Sequence, residues 1–185
     1  MTSNVTPIVT EHRTWLSQGD IFERLPVVTV GVRDSALAAD WAPGPAMLVS
    51  HGCAIDKKHN KTKRSTCEWL SFLPIQDMAK LDAGKAGQLR EVGLDRRPPY
   101  NVLYLGELPS IGEGYAPLVQ VYTLPAVVLA TEVRDFTDDE TGEGPDRRLV
   151  PTVHDTRVAS LTADALDAFH WKWTVQWTGA SVTAE

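Results

Sequence analysis

The residue types best suited to chemistry gather in one stretch. His51-Gly52-Cys53-Ala54-Ile55-Asp56 is followed by Lys57, Lys58, His59, Asn60, Lys61, Lys63, Arg64 and Cys67. A cysteine attacks as its thiolate, so it needs a neighbour that takes its proton. Cys53 is the candidate nucleophile, His51 or His59 the base, and Asp56 the carboxylate that orients the imidazole, in a nucleophile, base and orienter arrangement. A strand running through Cys53 sets His51 and Cys53 on one face, whereas a turn at Gly52 separates them. The catalytic set is therefore His51, Cys53, Asp56 and His59. Its substrate is a small electrophile, ester or amide, among which no residue selects.

The same stretch supports other readings. His51, Cys53, His59 and Cys67 supply two imidazoles and two thiolates, a donor set for tetrahedral zinc, although the long gap to Cys67 matches no common finger pattern. No other cofactor is indicated. Cysteines also pack as small apolar groups, and histidines make local hydrogen bonds. The basic residues Lys57, Lys58, Lys63 and Arg64 suit contacts to a substrate or to nucleic-acid phosphates, and equally a solvated loop. Arg147, Arg148 and Arg157 either assist an anionic site or pair with surface carboxylates. No glycine-rich phosphate loop, HExxH metalloprotease motif or GxSxG nucleophile elbow occurs.

The elements that must position this stretch read as short strands. Ala46-Met47-Leu48-Val49-Ser50, entered through the turn-rich Asp40 to Pro45, runs directly into His51. Cys67 to Leu73 is the next strand, stopped by Pro74. Ile21 to Leu25 and Val27 to Val30 form two short strands or one interrupted by Pro26. Further strands are expected at 100–105, 118–122 and 126–130, a short helix within 77–90, and an exposed acidic loop over 137–146. Thr162 and Asp164 begin a C-terminal helix whose stripe of Leu166, Phe169 and Trp173 seals one side of the sheet. Trp171, Trp173 and Trp177 read as core or subunit contact before cofactor site.

A chain of 185 residues, 43% hydrophobic and 23% charged, makes one folded domain rather than a disordered or membrane-embedded one. The boundaries are a leader over 1–14 that lies over the fold or moves in solvent, a domain over 15–178, and a tail over 179–185. The fold class is mainly β: an SH3-like curled sheet or small barrel with a short C-terminal helix and loop insertions. A net charge of −6 argues against a long-range pull on polyanions. With no secretory signal and no apolar run long enough to span a bilayer, the expectation is a cytoplasmic protein with reduced thiols and no membrane partner.

The order Gly19-Asp20-Ile21, Pro45 to Ser50, Leu73-Pro74-Ile75 and Arg157-Val158-Ala159-Ser160-Leu161-Thr162 resembles the PemK/MazF-like toxin family over much of residues 18 to 175. The resemblance implies an SH3-like barrel, a homodimer, and metal-independent hydrolysis of single-stranded RNA within a toxin-antitoxin pair. Where that family carries an arginine before Pro45 and a threonine or serine after Ile75, this chain has Gly44, Gln76 and Asp77. Three functions follow as expectations: a cysteine-centred enzyme, a catalytically degenerate binding or regulatory module, and a divergent endoribonuclease using His51, His59, Lys63 and Arg64. A small-molecule substrate, a protein partner and RNA are the corresponding ligands.

Overall fold

The computed structural model describes residues 6–33, 35–51, 55, 68–129, 131–136, 146–151 and 155–179. Its strands are β1 (Ile8–Val9), β2 (Asp20–Arg33), β3 (Ala36–Leu48), β4 (Trp69–Pro74), β5 (Gln76–Asp77), β6 (Val102–Leu108), β7 (Gly112–Pro117), β8 (Tyr122–Pro125), β9 (Thr131–Phe136), β10 (Asp146–Pro151) and β11 (Arg157–Leu161). The α-helices are α1 (Ala83–Val92) and α2 (Ala163–Thr178). Six strands form one antiparallel sheet in the order β1-β11-β2-β3-β4-β8; β5-β7-β6 and β9-β10 form two smaller ones. The edge strands β1 and β8 do not pair with each other. The expected mainly β barrel is thus a mixed α/β fold with a curled, unclosed six-stranded half-barrel and two helices, one near the C-terminus.

The apolar runs seen in the sequence are the centre of this sheet, and both of its faces are buried. Neighbouring residues alternate sides, as a strand requires. Ile21, Met47 and Leu73, aligned across β2, β3 and β4, enter one core with Leu103, Leu105 and Phe169. Phe22, Leu48 and Phe72 enter the other with Leu16, Ile55, Leu70 and Leu149. Two-sided burial explains why these strands read as continuous apolar runs rather than alternating ones. Helix α2 covers the first core with Phe169, flanked by Leu166 and Trp173. Its start is set by Thr162, whose Oγ1 accepts from Ala165 N at 3.2 Å, and its end by Gly179 in the left-handed conformation.

Several local expectations change in the fold. Asp40 to Pro45 is part of β3 and not a turn, and β2 runs unbroken through Pro26. Residues 118–121 are a turn and a short irregular stretch before β8, and Ala126–Leu129 is a 3-10 helix rather than a strand. Within the expected leader, β1 pairs with β11, burying Ile8, while Pro7 O accepts from Thr162 N at 3.0 Å. The acidic stretch 137–145 lies outside the described residues.

The two prolines show why the long hairpin is tolerated. Pro26 stands opposite Pro43. A hydrogen-bonded antiparallel pair exchanges two N–H···O bonds, and neither proline has an N–H, so this is a pair that exchanges none. Alternation then makes Val28–Trp41, Val30–Ala39 and Val32–Leu37 non-bonded pairs as well, with their backbone groups turned to the outer edges. Among the described residues, β2 beyond Arg24 pairs with β3 alone, and β3 before Pro45 pairs with β2 alone. The distal halves of these strands form a two-stranded arm with both edges open.

Candidate functional site

His51, the first residue of the chemically rich stretch, follows the end of β3. Ser50 anchors it from one side, its Oγ accepting from Ser71 N at 2.8 Å. Ile55, buried in the second core, anchors it from the other by donating to His51 O at 3.2 Å. The His51 ring lies against that of His170 on α2, with centroids 6.4 Å apart and planes inclined by 30°. His170 was absent from the candidates, because nothing local marks it: it sits between two apolar aromatics on a helix.

The His170 ring is oriented by a short relay. Gln18 Nε2 donates to Val49 O at 2.9 Å, which fixes the amide so that its Oε1 faces His170 Nε2 at 2.8 Å. An amide oxygen only accepts, so Nε2 carries the proton and Nδ1 keeps a lone pair in the neutral ring. Burial holds the His170 pKa below its ordinary value, His51 adds to the effect, and Asp167 opposes it. A neutral imidazole with one nitrogen committed and the other a free base is the requirement for proton abstraction.

The remaining predicted site residues, Cys53, Asp56, Lys57, Lys58, His59, Lys63 and Arg64, lie outside the described residues, as does Cys67 of the zinc reading. Among the described residues, no three His, Cys, Asp or Glu side chains converge as metal ligands. No helix among them is long and apolar enough to cross a membrane.

Arg157, offered by the sequence as an anion ligand or a surface ion pair, is neither. Its Nε donates to Asp155 Oδ1 at 2.8 Å, Nη1 to Arg13 O, Trp15 O and Asp20 Oδ2, and Nη2 to Thr14 O and Asp155 Oδ2. Its donors are engaged, leaving no fork for a ligand. Asp20, fully buried, also accepts from Ser17 N and Ser160 Oγ. Two of the segments that carry the family resemblance therefore meet here as a structural clamp joining β2, β11 and residues 13–15. Arg148 lies over the Trp15 ring, 5.2 Å from its centroid.

A second locus has no counterpart in the sequence reading. A groove of about 590 Å³ runs between Val27–Val30 of the arm and a wall made of Pro74, Ile75, Gln76, Gln120, Val121 and Tyr122. The arm side is four consecutive residues of β2, Val27 to Val30, in which Val28 and Val30 form no ladder bond to β3. Gln76 bridges the opposite wall, donating to Gln120 Oε1 at 3.0 Å and accepting from the Tyr115 hydroxyl at 2.6 Å. Among the described residues of the lining, Lys80 is the only charged side chain. No family model matches the chain, and no curated protein is similar enough to it to show a relationship.

Proposed function

We propose that this protein is a binding or regulatory module that takes up an extended polypeptide in the groove beside β2. The observation that carries the reading is the groove walled by Val27 to Val30 of β2, a stretch that among the described residues pairs with β3 alone. An unpaired strand edge supplies a ladder of main-chain donors and acceptors, and the adjoining pockets select alternate side chains, which is the physics of strand addition. Val27, Val28, Val30, Pro74, Ile75 and Val121 favour apolar side chains, and Lys80 favours one carboxylate among them.

The chemistry at the positions singled out by the PemK/MazF-like resemblance favours binding over cleavage. Gly44 offers no side chain, and a Cβ there would meet Val27 Cγ2 at 3.2 Å. The Gln76 amide is held by Gln120 and Tyr115, and Asp77 accepts from Ala79 N at 2.8 Å as a helix cap. Selection of a displayed random-peptide library on the folded protein tests the reading. Enrichment of extended apolar sequences with an acidic residue, weakened at least tenfold by Lys80→Glu, is expected; a library that yields no binder overturns it.

The cysteine-centred enzyme is the second reading, favoured by the His51–His170 pair. Cys53 follows His51 by two positions, so two imidazoles are candidates for its base. Labelling the folded protein with a thiol electrophile across pH, read by intact mass, separates the two functions. The enzyme reading expects rapid modification at Cys53 with a thiolate transition below the ordinary cysteine range, slowed by His51→Ala or His170→Ala. Ordinary reactivity, unchanged in both variants, removes it.

A further inference from the structure

The outer half of the β2–β3 arm has one face built entirely from apolar residues, and most of that face is exposed. Residues directly opposite each other across an antiparallel pair project to the same side. Val28 opposite Trp41, Val30 opposite Ala39 and Val32 opposite Leu37 therefore form a single surface. Val28 is 39% exposed, Val30 70%, Val32 74%, Leu37 83% and Trp41 70%. The arm's polar groups occupy the reverse face, where Arg33 pairs with Asp40 at 2.9 Å. An isolated two-stranded ribbon is marginal in water, so a sequence that places Val, Leu and Trp on its outer face describes a ribbon with a cover.

We propose that the cover is the same face of a second copy of this chain, packed arm against arm about a two-fold axis. The area supports this occupant. At these exposures the residues present roughly 600 Å² of largely apolar surface per copy, the upper end of what a monomer leaves in one patch. Two such faces bury about 1,200 Å², the threshold of a specific interface before any rim is counted. Charge supports it as well: the chain carries −6, and this face carries none, so it is where two copies meet without opposing like charges. A two-fold contact must be complementary to itself. On β3 the small Ala39 leaves a recess between Leu37 and Trp41, giving each face both a projection and a place to receive one.

This surface shares Val28 and Val30 with the peptide groove, but Val32, Leu37 and Trp41 belong to the face alone and Lys80 to the groove alone, so variants at those positions separate the two. Sedimentation equilibrium of the full chain tests the proposal, using wild type, Val32→Asp, Leu37→Asp and Lys80→Glu, with far-ultraviolet circular dichroism to show that each is folded. The expected result is a dimer at micromolar concentration for wild type and Lys80→Glu, with dissociation constants raised at least tenfold in both arm variants. In parallel, the emission difference between wild type and Trp41→Phe moves to shorter wavelength as protein concentration rises. A wild type that remains monomeric at tens of micromolar overturns the proposal. So does a dimer that both arm variants leave unchanged.

Discussion

The Nζ of Lys172 lies 3.0 Å from the carbonyl oxygen of Pro99 and 3.5 Å from that of Arg97, on a residue only 1% exposed. A lysine in the middle of α2 thus closes the loop before β6 by supplying donors to carbonyls that proline-rich backbone leaves unpaired. Burial lowers its pKa from 10.5 to about 8, with Asp95 opposing and Arg97 reinforcing the effect. The folded state therefore releases this proton more readily than the unfolded chain. Between pH 8 and 10.5 the unfolded state binds more protons, so stability rises with pH in that window and the charged form carries a cost below it. Urea denaturation from pH 8 to 9.5 is expected to show a gain on the order of 1 to 2 kcal/mol that is absent in Lys172→Met. The Tyr104 phenol stays protonated across this range, pushed up to about 12 by burial and its bond to Glu113.

Removing Arg157 leaves the Asp20 carboxylate buried without its cation and the carbonyls of residues 13–15 without their donor. Arg157→Ala is expected to cost about 3 to 5 kcal/mol in urea denaturation. Arg157→Lys recovers only part of this, because a single ammonium cannot reach Asp155, Asp20 and three carbonyls together. A cost below about 1 kcal/mol for Arg157→Ala would remove the clamp as a feature of the fold.

The Tyr122 hydroxyl is shielded from solvent and has no hydrogen-bond partner among the described residues, while the ring centroid lies 5.9 Å from that of Phe72. Taking away an unsatisfied buried group removes a penalty and keeps the packing. Tyr122→Phe is expected to match wild type or exceed it by up to about 1 kcal/mol. Tyr115→Phe, which deletes the 2.6 Å bond to Gln76, is expected to lose about 1 kcal/mol in the same denaturation series.

The His51–His170 contact has a direction that nuclear magnetic resonance can read. The proximity of His51 lowers the His170 pKa. Titration of the imidazole resonances is expected to place His170 below the ordinary histidine value in wild type, with His51→Ala moving it upward. An unchanged His170 titration in His51→Ala would show that the two rings do not interact in solution.

Much of the local structure was legible because its causes are local. The Thr162 cap, the stripe of Leu166, Phe169 and Trp173, and the apolar runs around Met47 and Phe72 state helix and strand through spacing alone. Pairing altered the rest. Pro43 argued for a turn until β2 placed Pro26 opposite it, where two missing N–H groups break no ladder bond. Val119 and Val121 have strand propensity, yet they lie in the non-strand connection before β8.

By itself the sequence determined which segments are apolar enough to be buried, where α2 begins, and that His51 and Cys53 are close neighbours in the chain. Only the tertiary structure decided that β2 and β3 outrun the sheet and expose an apolar face, that Gln18 and His170 come to His51, and that Arg157 and Lys172 are buried with their donors engaged. The physical reason is that solvent exposure and hydrogen-bond partners belong to pairs of distant residues. Periodicity records what a residue does within its own element, whereas register, strand order and helix docking select which remote atoms it meets.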